Sequence, residues 1–183
     1  LSLLAADDAT KTFSVRVTFN TAVTDNDQFQ FTITGASAEP AGSGFAAANA
    51  GGASSSIAGD DNRIEVIADR LAFVQNTTSP TGVSTAMTPA PTVSANDVNA
   101  NRDLDFTAFI DITSTGTLLG SPVSTQAVAG LSTFSGAIIH TATGTGLQLT
   151  AASTGLTSAT SNLFDIQTAS SATDYFRSKA PSG

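Results

Sequence analysis

The clearest strand signal in the sequence is the segment Thr12-Phe13-Ser14-Val15-Arg16-Val17-Thr18-Phe19. Its apolar side chains fall on every second position, with Thr, Ser and Arg between them. Because successive side chains of an extended chain point to opposite faces, this alternation predicts a half-buried strand. The alternation returns after the turn residues Asp25-Asn26-Asp27, at Phe29-Gln30-Phe31-Thr32-Ile33, and the two segments predict an antiparallel hairpin.

Further strand signals follow along the rest of the chain. Arg63–Ala68 predicts one strand, and about seven short segments separated by turn residues predict the strands of Leu71–Gln167. Among them are Leu71–Val74, Thr92–Ala95, Leu104–Ile112 and Leu163–Ile166, and the segments 137–142 and 146–151 are predicted to pair with each other. No segment sustains the period of a helix. We therefore predict an all-β chain of tandem immunoglobulin-like antiparallel β-sandwich modules.

The predicted strands divide the chain into three parts. Residues 1–69 are predicted to form a β-sandwich-like module, for which truncation at the start is an open alternative. Residues 70–167 are predicted to form an immunoglobulin-like β-sandwich repeat, and residues 168–183 a linker towards a further module. The first two parts meet at Asp69–Arg70. Because closely joined modules have few ways to reorient, this short connection predicts a semi-rigid rod.

The composition argues against two kinds of partner. The net charge is −8, from 7 Lys+Arg against 15 Asp+Glu, so the surface repels phosphate backbones and anionic lipid headgroups. No apolar run approaches the roughly 20 residues of a membrane span. We therefore expect no nucleic acid partner and no direct membrane insertion. There is also no cysteine, which rules out disulfides and thiolate metal sites.

A series of short phrases runs in order through the second predicted module. They are Arg70-Leu71-Ala72-Phe73-Val74-Gln75, Met87-Thr88-Pro89-Ala90, Asp97-Val98-Asn99-Ala100-Asn101-Arg102-Asp103, Ile112-Thr113-Ser114-Thr115-Gly116-Thr117-Leu118, Gly120-Ser121-Pro122-Val123, Leu131-Ser132-Thr133-Phe134-Ser135, His140-Thr141-Ala142-Thr143-Gly144-Thr145-Gly146 and Gly155-Leu156-Thr157-Ser158-Ala159-Thr160-Ser161. In this order they resemble an immunoglobulin-like repeat of the giant cell-surface adhesins and gliding-motility proteins of Bacteroidetes bacteria. The resemblance covers residues 71–167, roughly half of the chain, and residues 1–69 share less of it.

This resemblance implies a location and a role. It implies export by the type IX secretion route, display on the bacterial cell surface, and participation in adhesion or gliding. Neighbouring modules of the same polypeptide are then the expected partners, and Thr173-Asp174-Tyr175-Phe176-Arg177-Ser178 resembles the lead-in to a further module. The resemblance supplies no catalytic residues.

One loop has the chemistry of a metal site. Oxygen-bearing side chains occupy every second position of Asp97, Asn99, Asn101, Asp103 and Asp105, and such oxygens are the ligands that Ca²⁺ prefers. The pattern of an EF-hand is not met, because Arg102 stands where the turn glycine belongs and no Glu closes the loop. The loop is therefore a candidate calcium site, and a solvated turn between strands is the alternative. No other cofactor is expected.

The sequence offers no assembled catalytic group. His140 is the only histidine, so a Ser-His-Asp triad would have to use it, yet it lies in an alternating segment without a Gly-x-Ser-x-Gly motif. A histidine on a strand face is the favoured interpretation, and we expect no enzyme activity. Asn76-Thr77-Thr78 matches the N-glycosylation sequon, a pattern that arises often by chance in a chain rich in Thr.

These observations predict a structural or adhesive repeat segment of a large secreted cell-surface protein, acting as a spacer or binding stalk. Two alternatives stay open. One is a subunit of a self-assembling extracellular filament, in which an edge strand such as Leu71–Gln75 pairs with a copy of the same chain. The other is an accessory module of an extracellular enzyme. Surface glycans are a further candidate partner, although Trp is absent and Tyr175 is the only tyrosine.

Overall fold

The computed structural model describes residues 16–29 and 63–168 of the chain. These residues form ten short strands and no helix, which confirms the all-β prediction. The strands are β1 (Arg70–Gln75), β2 (Thr81–Gly82), β3 (Thr92–Asn96), β4 (Phe109–Ser114), β5 (Val123–Gln126), β6 (Leu131–Thr133), β7 (Gly144–Leu147), β8 (Leu149–Ala152), β9 (Ala159–Thr160) and β10 (Phe164–Gln167). Across the described ranges, the structure contains no helix long and apolar enough to cross a membrane.

The first sheet has the strand order β1-β3-β6, with antiparallel pairing throughout. Its central strand β3 is buried on both faces, since Val93 and Ala95 point into the core and Ser94 on the opposite face is also covered. Leu71 of β1 pairs with Ala95 and adds its side chain to the same core. The apolar positions of these strands therefore fix which face of the sheet is inside.

The other two sheets have the orders β2-β10-β7 and β5-β4-β8-β9. They are joined at a bend, because β7 leads directly into β8 and β9 leads into β10. Buried Ser161 holds this bend: its hydroxyl accepts a hydrogen bond from the Leu149 amide at 3.0 Å, and its own amide donates to the Leu149 carbonyl at 3.0 Å. The side-chain amide of Gln148 donates to the Ser161 carbonyl at 2.7 Å. All pairings in these sheets are antiparallel except that of β2 with β10.

All three sheets contribute to one hydrophobic core. Alternate residues point inward from the more buried strands, as in Ile110 and Ile112 of β4 or Phe164 and Ile166 of β10. The other buried members are Leu71, Met87, Val93, Ala95, Leu118, Phe134, Ile138, Leu149 and Ala151. Each large apolar side chain removed from water contributes about 1.5–3 kcal/mol, so this core is the main source of stability for the strands around it. The architecture is thus sandwich-like, with apolar side chains between layers of strands.

Several predicted strands differ from the observed ones. The sequence predicts a strand over Leu104–Ile112, but β4 begins only at Phe109 because residues 104 and 105 lie in a turn. The predicted pair of segments 137–142 and 146–151 is wrong: residues 137–142 form no strand and make isolated bridges from Ile139 to Ala86 and from His140 to Leu118, while β8 pairs with β4 and β9. Both segments carry apolar side chains at suitable spacing. However, each one forms its backbone hydrogen bonds with other parts of the chain and not with the other segment.

The predicted strands of the first module fall only in part on the described residues. Residues 16–20 form no strand, and residues 12–15 and 30–33 of the predicted hairpin lie outside the described ranges. Arg63–Ala68 is not a strand either. It makes a single antiparallel bridge between Arg63 and Gln28, flanked by hydrogen bonds of 2.9 Å from the Asn26 amide to the Ile64 carbonyl and from the Ile64 amide to the Asp27 carbonyl.

Candidate functional site

The loop between β3 and β4, residues 97–105, is organised around the carboxylate of Asp97. One of its oxygens accepts hydrogen bonds from the backbone amides of Asn99 at 2.9 Å and Asn101 at 2.8 Å. The other oxygen accepts from the side-chain amide of Asn101 at 2.9 Å. Although partial burial alone would raise the pKa of Asp97, these hydrogen bonds from Asn101 and Asn99 favour the ionised form and lower the pKa below its ordinary value. The alternating polar residues therefore build the loop itself.

Two buried side chains of this loop reach the segments that precede β1. Asn101 accepts a hydrogen bond from the Val23 amide at 3.0 Å and donates one to the Thr21 carbonyl at 2.8 Å. Asp103 accepts from the Ala68 amide at 3.0 Å, and its second oxygen accepts from the Asp105 amide at 3.0 Å. Each bond satisfies a polar group that would otherwise lose its partner on burial. Loop 97–105 is therefore a contact surface for residues 21–26 and 63–68.

Asp25 lies at the centre of this contact and is only 3% exposed. Its first carboxylate oxygen accepts from the Val66 amide at 2.8 Å and from the Asn26 amide at 3.0 Å. Its second oxygen accepts from the Leu104 amide at 2.7 Å. The sequence predicts a turn at Asp25, and the turn is present, but nothing in the pattern reveals that its carboxylate joins three segments far apart in the chain.

A group of three carboxylates surrounds Arg63 at the exposed side of this contact. Oxygen atoms of Asp25, Glu65 and Asp105 lie within 4.8 Å of one another. The Arg63 guanidinium donates to Glu65 at 2.7 Å and to Asp105 at 3.4 Å, and a further bond joins it to the side-chain oxygen of Asn26. The cation that compensates Glu65 and Asp105 is therefore supplied by the chain. Exposed ion pairs of this kind contribute only about 0–1 kcal/mol each, so they orient the contact more than they stabilise it.

The structure distributes the predicted calcium ligands among different roles. Asp97 and Asn101 hold the loop, Asp103 binds the Ala68 amide, and Asp105 alone of the five joins the carboxylate group around Arg63. Asn99 is exposed and contributes its backbone amide. A cation at Asp97 or Asp103 would have to compete with N–H donors that already point at the carboxylate oxygens. Calcium binding by these five residues stays a prediction.

His140 lies inside the protein. It is fully buried in an isolated bridge with Leu118, and its ring contacts that of Phe164 edge-on at 5.2 Å between centroids. Its Nε2 is hydrogen-bonded to the Ser114 hydroxyl at 2.8 Å, while Nδ1 has no partner among the described residues. Among the described residues, no carboxylate orients the His140 ring, so the Ser114–His140 pair lacks the third member of a triad there. Burial without a charged partner lowers the pKa of His140 below its ordinary value.

These contacts define a structural site whose chemistry is the pairing of buried polar groups. Loop 97–105 binds backbone amides and carbonyls of segments that precede it by up to 80 residues. Contacts between side chains and residues so far apart in the chain cannot be recognised from local sequence patterns. Only the polar composition of the loop indicated that it is a site. Comparison with known proteins found no family model and no curated protein that matches this sequence.

Proposed function

We propose that this chain is a structural segment of a large secreted, cell-surface protein, in which sandwich modules follow one another as a stiff spacer or stalk. The proposal includes the immunoglobulin-like repeat suggested by the phrases in residues 71–167. It assigns no catalytic role to the chain. The neighbouring modules of the same polypeptide are the partners it requires.

The strand order supports an immunoglobulin-like sandwich. Such sandwiches pack two antiparallel sheets over a core of alternating inward residues, and the chain crosses repeatedly from one sheet to the other. Here the chain passes from β3 in the first sheet to β4 and β5 in the four-stranded sheet. It returns to the first sheet at β6 and crosses again to β7 and β8. The inward residues of both sides meet in a single cluster.

The observation that carries the proposal is the way the chain enters the second predicted module. The amide of Ala68 donates to Asp103, that of Asp69 to the Asn96 carbonyl at 3.0 Å, and that of Leu71 to the Thr157 carbonyl at 2.9 Å. The connection is therefore bonded along its length to the module that follows it. A connection held in this way favours one orientation of the preceding segment, which is what a stiff spacer requires.

Distances between spin labels would test this stiffness. The chain has no cysteine, so labels on Thr18→Cys and Thr143→Cys report one distance between the segment before the connection and the far end of the second module. Both residues are exposed. A narrow distribution of distances is expected, and an Asp25→Ala, Asn101→Ala double variant should broaden it. Asn99→Ala, in the same loop but with an exposed side chain, is the matched control and should leave the distribution narrow.

A broad distribution in the labelled parent chain would contradict the spacer proposal. The surface location is tested separately, by labelling intact cells of the source organism with an antibody against residues 70–167. Labelling only after the cells are broken would contradict display on the cell surface.

A further inference from the structure

The first and last segments of the second predicted module run side by side in the same direction. Arg70 forms a parallel bridge with Thr157, and further along, Thr81 and Gly82 of β2 pair in parallel with Ile166 and Gln167 of β10. The chain therefore enters this module at one end of the paired segments and leaves it at the other end. On the first segment, the two ends are marked by Arg70 at the entry and by Thr81 and Gly82 at the exit.

Hydrogen bonds join these two segments at three places, which together form what we call the parallel seam (residues 69–83 and 157–167). At the entry, the Leu71 amide donates to the Thr157 carbonyl and the Thr157 amide to the Asp69 carbonyl, both at 2.9 Å. At the exit, the β2–β10 pairing is followed by a bond of 2.9 Å from the Val83 amide to the Gln167 carbonyl.

The middle of the parallel seam is closed by side chains in place of a regular ladder. The side-chain oxygen of Asn162 accepts from the Thr77 amide at 3.1 Å and from the Thr77 hydroxyl at 2.5 Å, and its amide group donates to the Thr77 carbonyl at 3.3 Å. The Asn162 backbone amide donates to the Asn76 side chain at 2.9 Å. The Asp165 amide donates to the Ser79 hydroxyl at 3.0 Å. The sequon residue Asn76 thus has a structural role.

We infer that the parallel seam is the element that resists tension along the chain. Tension between the entry and the exit slides the two parallel segments past each other, so that the bonds at all three places oppose the force together. Tension applied to adjacent ends of the same segments opens the bonds one after another. Rupture under force is governed by the unfolding rate, which depends on how many bonds must break to reach the transition state. This inference rests on the proposed role as a stalk, since only a stalk transmits tension from end to end.

Pulling the same protein in two directions tests the inference. In the first experiment, the full chain is stretched between handles at its two ends, and rupture of residues 70–167 is identified by the length that it releases, about 3.5 Å per residue. In the second, handles are attached to Ser84→Cys and Thr168→Cys, which are exposed and lie together at the exit of the seam. The rupture force is expected to be several-fold lower in the second experiment. Equal forces in both directions would overturn the inference.

A pair of variants separates mechanical resistance from general stability. Asn162→Ala removes the three side-chain bonds to Thr77 in the middle of the seam. Ser132→Ala removes a bond of 3.1 Å from a buried hydroxyl to the Thr125 carbonyl between β6 and β5, outside the seam. The two variants are compared under conditions in which their thermal stabilities are equal. Asn162→Ala should then lower the rupture force between the chain ends clearly more than Ser132→Ala does. A greater loss in Ser132→Ala would overturn the inference. The rupture force between the chain ends could be low while the spin labels still report a narrow distribution of distances. This result would refute the mechanical role of the parallel seam and would leave the spacer proposal intact.

Discussion

The carboxylate of Asp25 accepts a hydrogen bond of 2.7 Å from the backbone amide of Leu104, which lies 79 residues further along the chain. The same carboxylate accepts from the Val66 amide at 2.8 Å. One side chain from a short turn therefore connects three parts of the chain: residues 21–26, residues 63–68, and the loop between β3 and β4. The loop predicted to bind calcium is thus a site of contact within the chain.

Replacing Asp25 with Ala should destabilise this contact strongly. The amides of Val66 and Leu104 would lose their shared acceptor, and each buried donor left without a partner costs about 1–3 kcal/mol. Chemical denaturation measures the loss of stability, and amide exchange at Val66 and Leu104 should accelerate. Asp27→Ala is the matched control, because Asp27 belongs to the same turn and its side chain is exposed. Equal effects of the two substitutions would contradict the central position of Asp25.

The strands of residues 70–167 could be predicted where side-chain alternation and turn residues agree. Leu71–Val74, Thr92–Ala95 and Leu163–Ile166 each fall within one residue of an observed strand. The prediction failed where the pairing partner is distant: β8 was expected to pair with the segment just before it, yet it lies between β4 and β9. Alternation reports which face of a strand is buried, whereas partners are set by the packing of the whole core.

The candidate site was predictable in its location and not in its contacts. Alternating oxygen-bearing side chains marked residues 97–105, but the same residues suit a metal ion, a set of turns, or backbone amides from elsewhere in the chain. Asp25 looked like any polar turn residue, because two of its three donors, the amides of Val66 and Leu104, come from segments that no local pattern connects to it. His140 was expected on a strand face because its segment alternates, but alternation did not show that it is fully buried, in an isolated bridge with Leu118.

Two glycines with nearly the same backbone conformation should respond differently to substitution. Gly130 (φ +70°) and Gly120 (φ +68°) both adopt a left-handed conformation, which costs an L-residue about 1–2 kcal/mol. A Cβ on Gly130 would lie 2.1 Å from the Asp103 carbonyl oxygen, whereas one on Gly120 would meet nothing within 4 Å. The loss in the free energy of unfolding should therefore be greater for Gly130→Ala than for Gly120→Ala, by about 1–3 kcal/mol. Urea denaturation of the two variants measures this, and equal losses would contradict the close packing of the Gly130 turn against loop 97–105.

Titration with Ca²⁺ tests the prediction that residues 97–105 bind this ion. Binding to the folded chain would release or absorb heat and raise the unfolding temperature, since a ligand that binds only the folded state stabilises it. Asp97→Asn and Asp103→Asn should abolish both effects, because each removes a charged oxygen ligand. Asp111→Asn, whose carboxylate accepts a hydrogen bond from Ser124 on β5, is the control. The absence of heat and of a thermal shift in the parent chain would refute the calcium prediction.

His140 should make the stability of the protein fall at mildly acidic pH. Neutral His140 shares one hydrogen bond with Ser114, which also accepts from the Gly116 amide at 3.1 Å, and protonation would bury a charge with Nδ1 unpaired. Because burial lowers its pKa in the folded state below the ordinary value of 6.5, the unfolded chain binds more protons in the interval between the two values. This contribution to stability is therefore complete above pH 6.5 and is lost as the pH falls below it. His140 is the only histidine, so its ring signal in an NMR titration is unambiguous and should show a midpoint below 6.5. His140→Phe should reduce the dependence of stability on pH in this range, and a ring that titrates at or above its ordinary value would contradict the prediction.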